Sequence, residues 1–147
     1  MKKLLLICAI IISLTANSQQ VTTDIGIIPT PQNVEIYDST KHYGIDEFCE
    51  VINNPGFAAS IKNNLKREKP YPFLCANENG RMVGWTGAMW NEPSGRGHFD
   101  GIIVDEDIRG AGLGKALFCY LCYQSKLNGA SYMTFFTGLD NPARYIY

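Results

Sequence analysis

An excess of charge of either sign is missing from this chain. Thirteen Lys and Arg stand against fourteen Asp and Glu, a formal net charge of −1 over 147 residues. Without a basic surplus there is no electrostatic footprint for nucleic acid. Histidine is scarce: only His42 and His98 occur, far apart, so the sequence offers no histidine metal cluster. Repeats and low-complexity tracts are also missing. At 46% apolar and 18% charged residues, the composition is that of one ordinary globular domain. The apolar run from Leu4 to Leu14 is too short to anchor the chain in a bilayer.

That run has a different signature. Lys2 and Lys3 precede it, and small residues follow at Ala16 and Ser18. A basic start, a short apolar stretch and small residues describe a secretory signal peptide over residues 1–18, with residues 19–147 left after cleavage. A buried N-terminal strand or helix is the other reading. Cys8 follows Ile7 in a poor lipobox, which argues against a lipoprotein. Cleavage would leave Cys49, Cys75, Cys119 and Cys122, and export would permit disulfides. Cys119 and Cys122 are three apart, a spacing that on a zinc ribbon would suggest metal. They fall inside a helical pattern with no second pair nearby, so they read as small helix residues and no metal site is expected.

Periodicity gives the elements. After an extended lead-in over residues 19–32, residues 33–39 alternate as a first strand. Ile45, Phe48, Cys49 and Ile52 recur at helical spacing, and Pro55–Gly56 is expected to end that helix. Phe57, Ile61 and Leu65 mark a second helix. Residues 71–76 read as a strand, Asn79–Gly80 as a hairpin turn, and residues 81–90 as the partner strand. A loop with Pro93, Gly95 and Gly97 follows, then a strand over residues 98–104. A helix is expected over residues 112–127, with Leu113, Ala116, Leu117, Tyr120 and Leu121 inward and Asn128–Gly129 as its stop. Residues 131–137 form an aromatic-rich strand. Asp140 or Asn141 then caps a new helix with Pro142 in its first turn.

The chemistry concentrates between the strand at Val104 and the helix after it. Arg109, Gly110, Ala111, Gly112, Leu113 and Gly114 leave bare backbone where a loop becomes a helix. Unhindered amides at a helix N-terminus form a phosphate site. Spacing narrows the ligand. A dinucleotide fingerprint needs G-x-G-x-x-G, and the glycines here are one residue short. A P-loop needs a Gly where Arg109 stands and a hydroxyl where Ala116 follows Gly114 and Lys115. The plain alternative is a glycine turn that lets strand and helix pack closely.

The R-x-x-G-x-G spacing after a strand ending in Val resembles the acetyl-CoA loop of the GNAT N-acetyltransferase superfamily. The element order from residue 33 onward resembles the same fold. The resemblance implies an α/β (α+β) domain over residues 33–147: a mixed, mainly antiparallel sheet flanked by helices. It implies acetyl-CoA as cosubstrate and no metal. The sheet would part beside Ile102, Ile103 and Val104, which would line the pantetheine arm. Amides of Arg109, Gly110, Ala111, Gly112, Leu113, Gly114 and Lys115 would hold the pyrophosphate, helped by the charge on Arg109. Asp140-Asn141-Pro142-Ala143-Arg144-Tyr145-Ile146-Tyr147 is similar to the family's N-x-x-A-x-x-x-Y segment. It puts Asn141 on the cofactor side and Tyr147 in the place of the acid that protonates the thiolate. In the family two more strands follow, so this domain is expected to lack its last strands, most simply as a truncated product.

The same resemblance implies a small-molecule or peptide amine as acceptor and makes a homodimer possible, while the charge balance points to no nucleic acid and the short apolar run to no stable membrane anchor. Asp100 is the candidate general base, with His98 and Glu92 also near; each such residue is more often a solvated loop or edge residue than a base, and a water relay stays open. Trp85, Trp90 and Tyr71 either shape the acceptor pocket or simply pack. Upstream, residues 24–35 resemble the opening of secreted bacterial beta-N-acetylhexosaminidases after their signal peptide. Three functions follow: an N-acetyltransferase, a vestigial acetyl-CoA-binding module, or a piece of an exported hexosaminidase. The leader points to export, and the cofactor to the cytoplasm.

Overall fold

The computed structural model describes residues 20–23, 26–38, 50 and 53–145. Its main sheet is organised by one tight turn. Asn79 and Gly80 take positive φ values of 52° and 86°, the conformation that matches strand twist in a two-residue hairpin. The turn joins β4 (Leu74–Glu78) to β5 (Arg81–Thr86). β3 (Val34–Asp38) pairs with β4, and β8 (Ile102–Val104) with β5, all antiparallel. A second sheet has the order β6 (Met89–Asn91), β7 (Arg96–Phe99), β9 (Tyr132–Met133), with β7 and β9 parallel. The expected lead-in holds a separate hairpin, β1 (Gln20–Thr23) with β2 (Gly26–Pro29).

Two expected strands, residues 81–90 and 98–104, are each broken in two. The cause is a bulge. The Gly87 amide donates to the carbonyls of both Asp100 and Gly101, at 2.7 and 3.2 Å, and Gly101 has φ 62°. One extra residue in a strand flips its faces. Phe99 contacts Phe118 on one side of the sheet, yet Ile102 and Val104, not residue 101 or 103, rejoin that side's core. Glycine at 87 permits this approach, because a Cβ on it would collide with the Asp100 carbonyl unless the backbone shifted.

Helices cover both faces. α1 (Pro55–Leu65) starts where the sequence suggested a helix end: Asn54 accepts a hydrogen bond from the Phe57 amide at 3.1 Å, and Pro55 takes the first turn. Of the expected helix over residues 45–52 only Glu50 is described, and it is helical; the signal segment lies outside the described residues. α2 (Leu113–Leu127) packs Leu113, Ala116, Leu117, Tyr120 and Leu121 against Leu74, Ala76, Val83 and Met89. Phe73, Cys75 and Met82 join Ile61 of α1 in a second cluster. The alternation of Phe73 to Ala76 between the two clusters is the strand period of two.

The end of α2 is fastened to β6. Ser125 Oγ donates to Asn91 Oδ1 at 2.8 Å, and Asn91 Nδ2 donates to the carbonyls of Ser125 and Asn128, each at 3.0 Å. Cys119 and Cys122 lie within α2, as their pattern suggested. Burial pushes the Cys122 thiol up to about 11, aided by nearby Cys119, so it stays protonated at neutral pH. The strand expected over residues 131–137 is paired only at Tyr132–Met133, and the helix expected after Asn141 is a 3-10 turn, Pro142–Tyr145.

Candidate active site

β9 is short because the strands beside it part. The Thr134 amide donates to the Gly97 carbonyl at 3.0 Å, and beyond that bond β8 and the residues after Thr134 share no ladder among the described residues. The expected split beside Ile102–Val104 is therefore present.

Register shows which groups face the gap. The Gly87 amide bonds to the Gly101 carbonyl, and the Asp105 amide to the Val83 carbonyl. These bonds flank the Trp85–Ile103 pair. Trp85 and Ile103 are therefore the hydrogen-bonded pair of the ladder, whereas the backbones of Ile102 and Val104 point to the other edge. Ile103 turns its side chain to the opposite face and is 40% exposed.

The gap leads to the glycine loop. Asp105 caps a 3-10 turn, Glu106–Ile108, and the chain then passes through Gly110 and Gly112 at φ 85° and 90°. Gly112 is the N-cap of α2 and supplies no side-chain cap. Among the described residues, no protein acceptor takes the amides of Gly110, Gly112, Leu113, Gly114 or Lys115. No atom lies within 4 Å of where a Cβ would sit on Gly110 or Gly112. Open backbone, unbonded amides and the positive end of a fifteen-residue helix fit a phosphate group. The Ala111 amide is instead turned to Ile108 at 3.4 Å, and the Arg109 amide to Glu106 at 3.3 Å. The Arg109 side chain ties the loop to the strand: Nε donates to the Val104 carbonyl at 3.1 Å, and the guanidinium pairs with Glu106 at 3.1 Å.

A pocket of about 310 Å³ opens on the face of β5 and β8 away from α2, lined by Phe57, Trp85, Gly87, Asp100, Gly101 and Ile103. Asp100 is its one carboxylate, and burial raises its pKa above the ordinary aspartate value. Trp85 Nε1 is buried without a hydrogen-bond partner. On the same face lies a second polar group. Glu92 accepts from Arg96 at 2.6 Å and contacts His98 Nε2 at 2.7 Å. Hydrogen bonds from Arg96 and His98 lower its pKa to about 2. Trp90 stacks on His98 at 5.1 Å and contacts Tyr71 at 6.4 Å. Asn141 accepts from the Ala143 amide and donates to Thr137 Oγ1 at 3.0 Å, so its side chain caps the final 3-10 turn. Tyr147 lies outside the described residues.

The sequence model of the acetyltransferase (GNAT) family matches residues 35–146. The chain belongs to the GNAT acetyltransferase family. A glucosamine 6-phosphate N-acetyltransferase of Trypanosoma brucei brucei is 40% identical over 61 residues, which span 38% of this GNAT chain and 42% of that relative's length. Among solved structures, the glucosamine-6-phosphate N-acetyltransferase of Arabidopsis thaliana aligns at a TM-score of 0.57 and 16% identity, over 78% of this chain and 88% of that one. The aminoglycoside N-acetyltransferase AAC(6')-Iy in complex with CoA aligns at 0.57 and 13% identity, over 78% and 89%. These likenesses establish a shared fold. Three residues of the GNAT pocket escaped the sequence reading: Phe57, Gly87 and Gly101. Phe57 looked like one more residue of a helix stripe, and the only trace of Gly87's role is a glycine inside a strand pattern.

Proposed function

We propose that this chain is an acetyl-CoA-dependent N-acetyltransferase that acetylates an amine. One observation supports the reading above the others: the open edge of β8 runs through a glycine loop into the uncapped N-terminus of α2. Acetyl-CoA would supply the activated thioester. The chain's own groups divide the remaining work. Amides of Gly112, Leu113, Gly114 and Lys115 hold the pyrophosphate, with Gly110 and Ala111 shaping the turn and Arg109 pinning it to β8. The outward amides of Ile102 and Val104 sit where negative charge develops on the carbonyl oxygen, the placement that makes such donors effective. Ile103 presents its side chain to the acceptor pocket. Asp100 draws the acceptor's cationic amine to the bulge. Tyr147 returns a proton to the departing sulfur, a step that aids a fair leaving group without being indispensable.

The acceptor is a small-molecule or peptide amine, and the name of the trypanosomal relative makes glucosamine 6-phosphate the first compound to try. Substitution of the loop tests the cofactor assignment. Acetyl-CoA at a hundred times its Kd should stabilise the folded chain by about 2.7 kcal/mol through mass action. Gly112→Val should abolish the thermal shift, since a β-branched residue at φ 90° is strained and its side chain fills the cradle. A folded Gly112→Val protein with an undiminished shift would refute the loop assignment.

A further inference from the structure

A group that takes a proton from the amine must sit near the acceptor, in the right protonation state, with a free lone pair. The placement and bonding of His98 suit that task. Its side chain is 19% exposed and lies flat against Trp90, with ring planes 12° apart. Nε2 is 2.7 Å from Glu92 Oε1. An ionised carboxylate only accepts, so the proton of the neutral ring sits on Nε2 and Nδ1 keeps its lone pair. Nδ1 faces Thr134 Oγ1 at 3.5 Å, a long, weak hydrogen bond that an incoming amine can displace. Thr134 makes the last backbone bond before the strands part, so this lone pair lies at the apex of the gap. His98 and Asp100 share a strand face, about 7 Å apart by strand rise.

We propose that His98 is the proton acceptor for the attacking amine and that Glu92 is the positioning residue that fixes its tautomer; this rests on the acetyl-transfer reading. In the step, an N–H bond of the ammonium breaks and an N–H bond forms at Nδ1. The positive charge passes to the imidazolium, opposite the Glu92 carboxylate, and bulk water later takes the proton. Asp100 is then the electrostatic anchor of the amine. The charged groups around the ring are Glu92 beside it, Arg96 bonded to Glu92, and Asp100 along the strand; Tyr132 lies near Arg96.

The experiment uses the full chain with acetyl-CoA and glucosamine 6-phosphate, following release of the CoA thiol. His98→Gln should lower kcat/KM about 100-fold or more, leaving the acetyl-CoA thermal shift intact. An unchanged rate in His98→Gln would overturn the proposal. Ring nitrogen NMR gives a readout independent of any acceptor, with His42→Gln used to assign the two histidines. The neutral His98 ring should be protonated on Nε2 and lose that bias in Glu92→Leu, which has no acceptor. A proton on Nδ1, or a bias untouched by Glu92→Leu, would also overturn it. Absence of an acetyl-CoA thermal shift in the wild type would instead sink the acetyltransferase reading, so the two failures are distinguishable.

Discussion

At the scale of single residues, the site depends on a glycine that binds nothing. Gly87 lets two strands approach closely enough for one amide to meet two carbonyls, and that contact sets Asp100 at the pocket rim. Gly87→Ala should cost about 1–3 kcal/mol, the range for forcing an extra carbon into packed space, read as a lower denaturant midpoint. Glu92 makes a pH prediction. Its pKa is lowered from 4.5 to about 2 by hydrogen bonds from Arg96 and His98. A depressed carboxylate contributes stability that is fully present above the unfolded value and lost as pH falls through the folded one. Its contribution should therefore fade between about pH 4.5 and about pH 2. In Glu92→Gln, melting temperature should vary less with pH in that window; an unchanged profile would mean that the triad of Glu92, Arg96 and His98 does not hold in solution.

Elements follow from pattern where both faces carry side chains, and fail where they do not. The Asn79–Gly80 hairpin, the stripe of α2 and its stop at Asn128–Gly129 were legible because turn chemistry and period agree. The broken strands were not, because glycine at 87 and 101 has no side chain to report a change of face. Pro55 was misread for a related reason. Proline ends one helix as readily as it starts another, and only the Asn54 side chain on the Phe57 amide decides. The polar clamp between α2 and β6 was equally invisible, since its partners are more than thirty residues apart. It carries a prediction of its own. Ser125→Ala removes the donor to Asn91 Oδ1 in a buried setting and should destabilise the fold by about 1–3 kcal/mol, with the melting temperature as readout.

For the molecule as a whole, among the described residues, α1 and α2 lie on opposite faces of the sheet, which parts beside β8, and the glycine loop stands at the end of that opening. The open glycine loop was legible because backbone exposure is written as glycine spacing. The pocket was legible in part: Trp85 and Asp100 stood out as residues, but their meeting with Phe57 and Ile103 comes about only through the bulge. The most direct test of the account follows backbone amide resonances while acetyl-CoA is titrated into the full chain. Amides of residues 110–115 and the outward amides of Ile102 and Val104 should shift saturably, whereas the Ile103 amide, paired with Trp85, should shift far less. Binding that leaves the loop and the β8 edge unmoved would contradict the assignment of the parted sheet as the acetyl-CoA site.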